Sequence, residues 1–98
     1  MFSVYFLKSL KNGKIYTGIT EKDPKERLKE HNKKINSYTK QNGPFILIYY
    51  ESYFCKTDVM MREKFYKSGF GRKIRNEIIK LLVKEKSEVS ARGGSASG

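Results

Sequence analysis

Apolar and polar positions alternate with period two at the start of the chain and with helical spacing after it. Residues 2–8 and 14–20 are short runs of β-formers joined across Lys11-Asn12-Gly13-Lys14. Asn-Gly between apolar runs is a hairpin signal, because both residues tolerate the positive φ of a type I′ turn. With Asn12 and Gly13 as central turn residues, Leu10 faces Ile15, Ser9 faces Tyr16, Leu7 faces Gly18 and Tyr5 faces Thr20. Val4, Phe6, Leu10, Ile15 and Ile19 then share a core-facing side, and Tyr5, Leu7, Tyr16, Gly18 and Thr20 share the other. Any loop of even length preserves that division of faces.

A helix is predicted from Pro24 to about Lys34. Asp23 suits its N-cap, Pro24 its first position, and Glu26 can reach back to the cap. Leu28, His31 and Ile35 lie along one stripe with Arg27 on its flank, while Lys25, Lys29 and Lys33 point to solvent. Residues 36–44 form a polar loop ending in Gly43-Pro44. The near-continuous apolar run FILIYYESYF, residues 45–54, fits a central strand covered on both faces. From Thr57 to Lys67 the spacing is helical again, with Thr57 or Asp58 as N-cap and Val59, Met60, Phe65 and Tyr66 as apolar contacts. Ser68-Gly69 stops that helix and Gly71 opens another, whose apolar face carries Ile74, Ile78, Leu81 and Leu82 against Lys73, Glu77, Lys80 and Lys84. The order is β-β-α-β-α-α, in one domain over residues 1–84. From Ser87 the composition shifts to Ser, Ala and Gly, so residues 85–98 are expected to be a flexible tail.

Charge narrows the class of partner. The chain has 98 residues and carries 21 Lys and Arg against 10 Asp and Glu, a formal net charge of +11. A field of that sign suits a polyanion, nucleic acid first and an anionic membrane surface second, with plain solubility as the bland reading. No apolar run approaches the length of a membrane span, and Lys8 interrupts the first apolar stretch, against a signal peptide. A cytoplasmic location is therefore expected, with no membrane partner. Cys55 is the only cysteine, which excludes an intrachain disulfide and a cysteine-based zinc site; a small filler at a buried or half-buried position is expected.

Several side chains carry candidate chemistry. Arg27 is either a surface charge paired with Glu26 or Glu30, or a group turned toward the sheet; His31 is either a helix-edge residue bonded to a carbonyl or a site residue. Glu63 falls on the inward stripe between Val59 and Tyr66, where a carboxylate needs a partner. Lys67, Arg27 and a bound divalent cation compete for that place. Tyr38 and Lys40 in the polar loop can stack on a base and pair with phosphate. Arg72, Lys73 and Arg75 form the densest basic cluster, either a solvated face or a phosphate contact.

Together these residues make a resemblance. Ser3-Val4-Tyr5 and Tyr16-Thr17-Gly18, with their tyrosines eleven residues apart, resemble the two halves of the GIY-YIG nuclease signature. Arg27, His31 and Glu63 follow in that family's order and approximate spacing. FILIYYE followed by REKFYKSGFGRK is similar to small stand-alone members, which resemble the nuclease module of the bacterial excision-repair machinery, linking the chain to DNA repair. The resemblance covers residues 2 to about 82. It implies an α/β domain, a three-stranded antiparallel sheet flanked by helices, that cuts DNA with one divalent metal, Mg²⁺ or Mn²⁺. It further implies that Glu63 holds the metal, Tyr16 acts as general base on water, Tyr5 orients Tyr16 or a phosphate oxygen, and Arg27 neutralises the pentacovalent phosphate. His31 would assist proton transfer or bind phosphate, and Gly18 would leave room for the backbone. A free phenol titrates near about 10, so the base role needs Arg27 and the metal nearby.

The chain departs from the family pattern in three places. Ser3-Val4 replaces Gly-Ile; Ile19 stands where some members have lysine, leaving Lys67 as a candidate helper cation; and Asn76 is the nearest counterpart of a downstream asparagine. A nucleic-acid-binding domain of the same shape with little cleavage is the alternative. On either reading, substrate choice is expected to rest on the 36–44 loop, self-association or a protein partner.

Overall fold

The computed structural model describes residues 1–33 and 41–91. The elements are β1 (Phe2–Ser9), β2 (Ile15–Thr20), α1 (Pro24–Lys33), β3 (Phe45–Tyr53), α2 (Lys56–Lys67) and α3 (Gly69–Ala91), in the order expected. The strands form one antiparallel sheet in the spatial order β2-β1-β3. Flanked by strands on both edges and by helices on both faces, β1 supplies the core: Val4, Tyr5, Phe6 and Leu7 are at most 1% exposed.

Alternation along β1 splits the core into two layers. Tyr5, Leu7 and Phe45 pack with Tyr16, Leu47 and Leu28 of α1 on one face. Val4 and Phe6 pack with Val59 and Tyr66 of α2 on the other, joined by Ile74, Ile78 and Ile79 of α3. The sheet therefore separates α1 from α2 and α3.

The faces of the hairpin are as expected, but its register is not. Tyr5 faces Gly18 and Leu7 faces Tyr16, a shift of two residues from the expected pairing. The loop is longer than a two-residue turn: the Ser9 N–H donates to the Lys14 carbonyl and the Gly13 N–H to the Ser9 carbonyl, both at 2.9 Å. Side chains drive this choice. Ser9 Oγ accepts from the amides of Lys11 and Asn12 at 3.1 Å, and Asn12 Oδ1 accepts from the Lys14 amide at 2.9 Å. Such local bonds offer the backbone an alternative to further ladder pairing. Among the described residues only Gly13 has positive φ, +74°, so the I′ turn is excluded. Leu10, expected in the core, is 59% exposed in the loop.

β3 is an edge strand rather than the central one, and Ile46 and Tyr50 are exposed. Its long apolar run reflects two half-covered faces and a bulge. Phe6 pairs with Tyr49 and Leu7 with Leu47, which leaves Ile48 without an opposite number and turned into the α2 layer.

Helix ends also differ in detail. Asp23 caps α1 as expected, its Oδ1 accepting from the Lys25 amide at 2.9 Å. The N-cap of α2 is Cys55, with no side-chain bond, in place of Thr57 or Asp58, and Cys55 is exposed rather than a filler. Met60, expected to pack, is exposed. α3 begins at Gly69, before the expected Gly71, because Ser68 starts it: Ser68 Oγ accepts from the Gly71 amide at 3.1 Å and its carbonyl from the Arg72 amide at 2.9 Å. Gly71 is required for another reason. A Cβ there would lie 1.6 Å from the Phe65 carbonyl oxygen, so only glycine lets α3 turn back this closely on α2. Leu81, placed on the apolar face of α3, is exposed, and Ile79 packs instead. α3 continues to Ala91, past the point where the flexible tail was expected to start, and residues 92–98 lie outside the described ones.

Candidate active site

The hairpin sets the floor of the site. Tyr5 and Gly18 are direct cross-strand partners, and a Cβ on Gly18 would sit 2.6 Å from Tyr5 Oη and 3.2 Å from Tyr16 Cε1. The bare glycine thus makes room for the Tyr5 phenol lying across β2. Tyr16, two residue pairs further along, borders the same space on the same face.

α1 brings its candidate side chains over this floor. Asn32 secures its C-terminal end to β3, donating from Nδ2 to the Phe45 carbonyl at 3.1 Å and accepting the Phe45 amide on Oδ1 at 2.9 Å. The sequence pattern gives no warning of this clamp; a lone asparagine in a last helical turn looks like ordinary surface. One residue before it, His31 Nε2 lies 3.2 Å from Tyr5 Oη, and its ring stands edge-on to Tyr16 at 5.3 Å and to Tyr5 and Phe45 at 6.3 Å between centroids. His31 is therefore bonded to a phenol of the site.

Arg27 lies one turn earlier and has two engagements. Its Nη1 donates to Glu30 Oε1 at 3.3 Å, while Glu30 also holds Lys22 at 2.7 Å. The surface pairing considered for Arg27 is thus present. The guanidinium also lies beside the Tyr5 phenol. Burial holds the Tyr5 pKa above the ordinary phenol value, the neighbouring Arg27 guanidinium opposes that rise, and Tyr16 when ionised and the Glu63 carboxylate add to it. Tyr5 is thereby kept protonated, a donor rather than a base.

Glu63 arrives from α2, in the layer across the sheet. Its side chain is 24% exposed and accepts from Lys67 Nζ at 3.2 Å. Of the two protein cations, Lys67 is the one paired with it, and Arg27 pairs with Glu30 instead. Glu63 is still near enough to the hairpin for its charge to act on Tyr5. Among the described residues no group of three or more His, Cys, Asp or Glu gathers into a cage, so the donor set at Glu63 is one partly open carboxylate. One carboxylate completed by waters and substrate phosphate oxygens suits Mg²⁺, and Glu63 fits that use.

The expected substrate contacts are dispersed. Lys67 is tied to Glu63. Arg72 and Lys73 are exposed on α3. Arg75 is half-buried and donates from Nε and Nη2 to Asn76 Oδ1 at 3.3 and 3.2 Å; burial and the neighbouring Arg72 lower its pKa. The Asn76 side chain is thus engaged with Arg75. Tyr38 and Lys40 lie outside the described residues.

A second polar cluster was not anticipated. On the α2 face of the sheet, Glu51 Oε1 accepts from Tyr53 Oη at 2.6 Å and Arg62 Nε at 2.9 Å, and Oε2 accepts from Tyr49 Oη at 2.8 Å and from Tyr66 Oη. Arg62 also donates to Tyr66 Oη at 2.8 Å and lies over the Tyr66 and Phe65 rings. Burial alone would raise the Glu51 pKa, but Arg62 and the phenols hold it below the ordinary carboxylate value. Burial and the adjacent carboxylate push Tyr49 up to about 12.

Compared with models of known families, residues 1–76 match the one described as the GIY-YIG catalytic domain. Neither a curated protein nor a solved structure matches the chain.

Proposed function

Because the chain belongs to the GIY-YIG family, we propose that it is a metal-dependent endonuclease hydrolysing phosphodiester bonds in DNA. The observation that carries this reading is the meeting of Tyr5, Tyr16, Arg27 and His31 on one face of the hairpin, with the Glu63 charge felt at Tyr5. Each has a separate task in the proposed reaction. Tyr16 takes a proton from the attacking water. Arg27, turning from Glu30, neutralises charge on the equatorial phosphate oxygens. Tyr5, held protonated, donates to a phosphate oxygen or fixes Tyr16, and His31 receives or relays the proton at Nε2. Glu63 holds Mg²⁺ or Mn²⁺, which when bound supplies Lewis acidity and lowers the pKa of water. Lys67, Arg72, Lys73 and Arg75 contact the DNA backbone, together with Tyr38 and Lys40.

The partners already made by Arg27 and Glu63 favour a second reading, a DNA-binding domain of the same shape that cuts poorly. Purified protein distinguishes the two. Mg²⁺- or Mn²⁺-dependent nicking is expected on a panel of flap, branched, nicked, linear and single-stranded substrates. Glu63→Ala should abolish it with the fold intact, and Tyr16→Phe should slow it by about 10²–10⁴-fold. Cleavage unchanged in Glu63→Ala, or persisting in chelator, rejects the metal assignment.

A further inference from the structure

The Glu51 cluster lies outside the proposed site, yet it grips the helix that carries Glu63. Both carboxylate oxygens are fully used by four donors, and the Glu51 side chain is only 14% exposed. Two of those donors, Tyr49 and Tyr53, flank Glu51 on β3 itself. The other two, Arg62 and Tyr66, stand one turn apart on α2 and bracket Glu63.

A buried charge cluster of this kind is a poor way to gain stability, since apolar residues of similar volume often do as well. What it supplies that apolar packing lacks is direction. Nearby Val59 and Tyr66 are fully buried, but apolar burial by itself is non-directional. Bonds from Arg62 Nε and Tyr66 Oη to one carboxylate fix the roll. Because successive helical residues are about 100° apart, fixing Arg62 toward β3 fixes the direction in which Glu63 leaves the helix.

We propose that Glu51 is a positioning residue for Glu63, setting the roll of α2 so that the Glu63 carboxylate is aimed at the metal. This rests on the nuclease reading above. Supporting groups behind a metal ligand commonly alter metal affinity by about tenfold or more when removed.

The test uses Glu51→Gln, and Tyr66→Phe as a gentler variant that keeps the ring and removes one bond. Folding of each is verified by its amide NMR spectrum. Two titrations follow: paramagnetic broadening of the Glu63 amide by Mn²⁺ without DNA, and the Mn²⁺ concentration giving half-maximal nicking. In Glu51→Gln both midpoints should rise about tenfold, with the full rate restored at saturating metal and KM for DNA little changed. Tyr66→Phe should shift both in the same direction by less. A purely structural role would lower the folded fraction and leave both midpoints where they are. Unchanged midpoints in a folded variant overturn the assignment of Glu51 alone; if Glu51→Gln does not fold, Tyr66→Phe decides. Wild-type protein that neither nicks nor shows broadening at Glu63 overturns the nuclease reading, and this one with it.

Discussion

Gly18 shows how much a single absent methyl group does. The Tyr5 phenol occupies the space a side chain would take and, at 1% exposed, has little room to retreat. Gly18→Ala should cost about 1–3 kcal/mol, the usual range for overpacking, read as a lower denaturant midpoint, and should reduce nicking further because Tyr5 leaves His31. Glu51 carries a prediction about pH. Its folded pKa is depressed, so its stabilisation is complete above the unfolded value of about 4.3 and drains away as pH falls through the lower folded one. Denaturant midpoints should therefore drop below about pH 4.5 in the wild type, and Glu51→Gln should show a flatter acid limb. An equally steep limb in that variant would place the acid sensitivity elsewhere. The grouping of Tyr5, Tyr16 and Gly18 was readable because strand alternation fixes the shared face, and Arg27 with His31 because they are one helical turn apart. The Glu51 cluster was not. Tyr49, Glu51 and Tyr53 do alternate on one face, a visible hint, but the donors Arg62 and Tyr66 come from an element whose docking no local pattern specifies.

At the scale of elements, existence and order followed from periodicity, whereas position within the sheet did not. An apolar run such as residues 45–53 reads the same for a central strand as for an edge strand with both faces half-covered. The hairpin register turned on Ser9 and Asn12, whose side chains bond the loop amides and displace the Asn-Gly turn. Ser68 likewise moved the start of α3 two residues upstream. The α2–α3 junction gives the sharpest element-scale prediction. Since a Cβ at Gly71 would meet backbone atoms of Phe65 and Tyr66, relief requires the helices to part. Gly71→Ala should destabilise by about 3 kcal/mol or more; a change near zero in a thermal or urea melt would contradict the packing described.

For the whole molecule, the excess of positive charge anticipates binding that falls steeply with salt, as phosphate neutralisation releases counterions. Arg72 and Arg75 are the proposed contacts best separated from the reacting groups. Replacing both by Gln should lessen the salt slope of DNA affinity by about 2, with the metal midpoint for cleavage unaffected. A slope equal to that of the wild type would move the docking face off α3.

The division of the core into two layers bears on heat as well as on shape. Phenols, imidazole and guanidinium stand above the strands, while the carboxylate rises from beneath, so the three-stranded ribbon acts as the spacer gauging their separation. On the proposed nuclease reading, any slackening between the ribbon and the lower helix would misalign these groups while every strand and helix persisted. On gradual warming, nicking should accordingly fade at temperatures where circular dichroism still reports a folded chain.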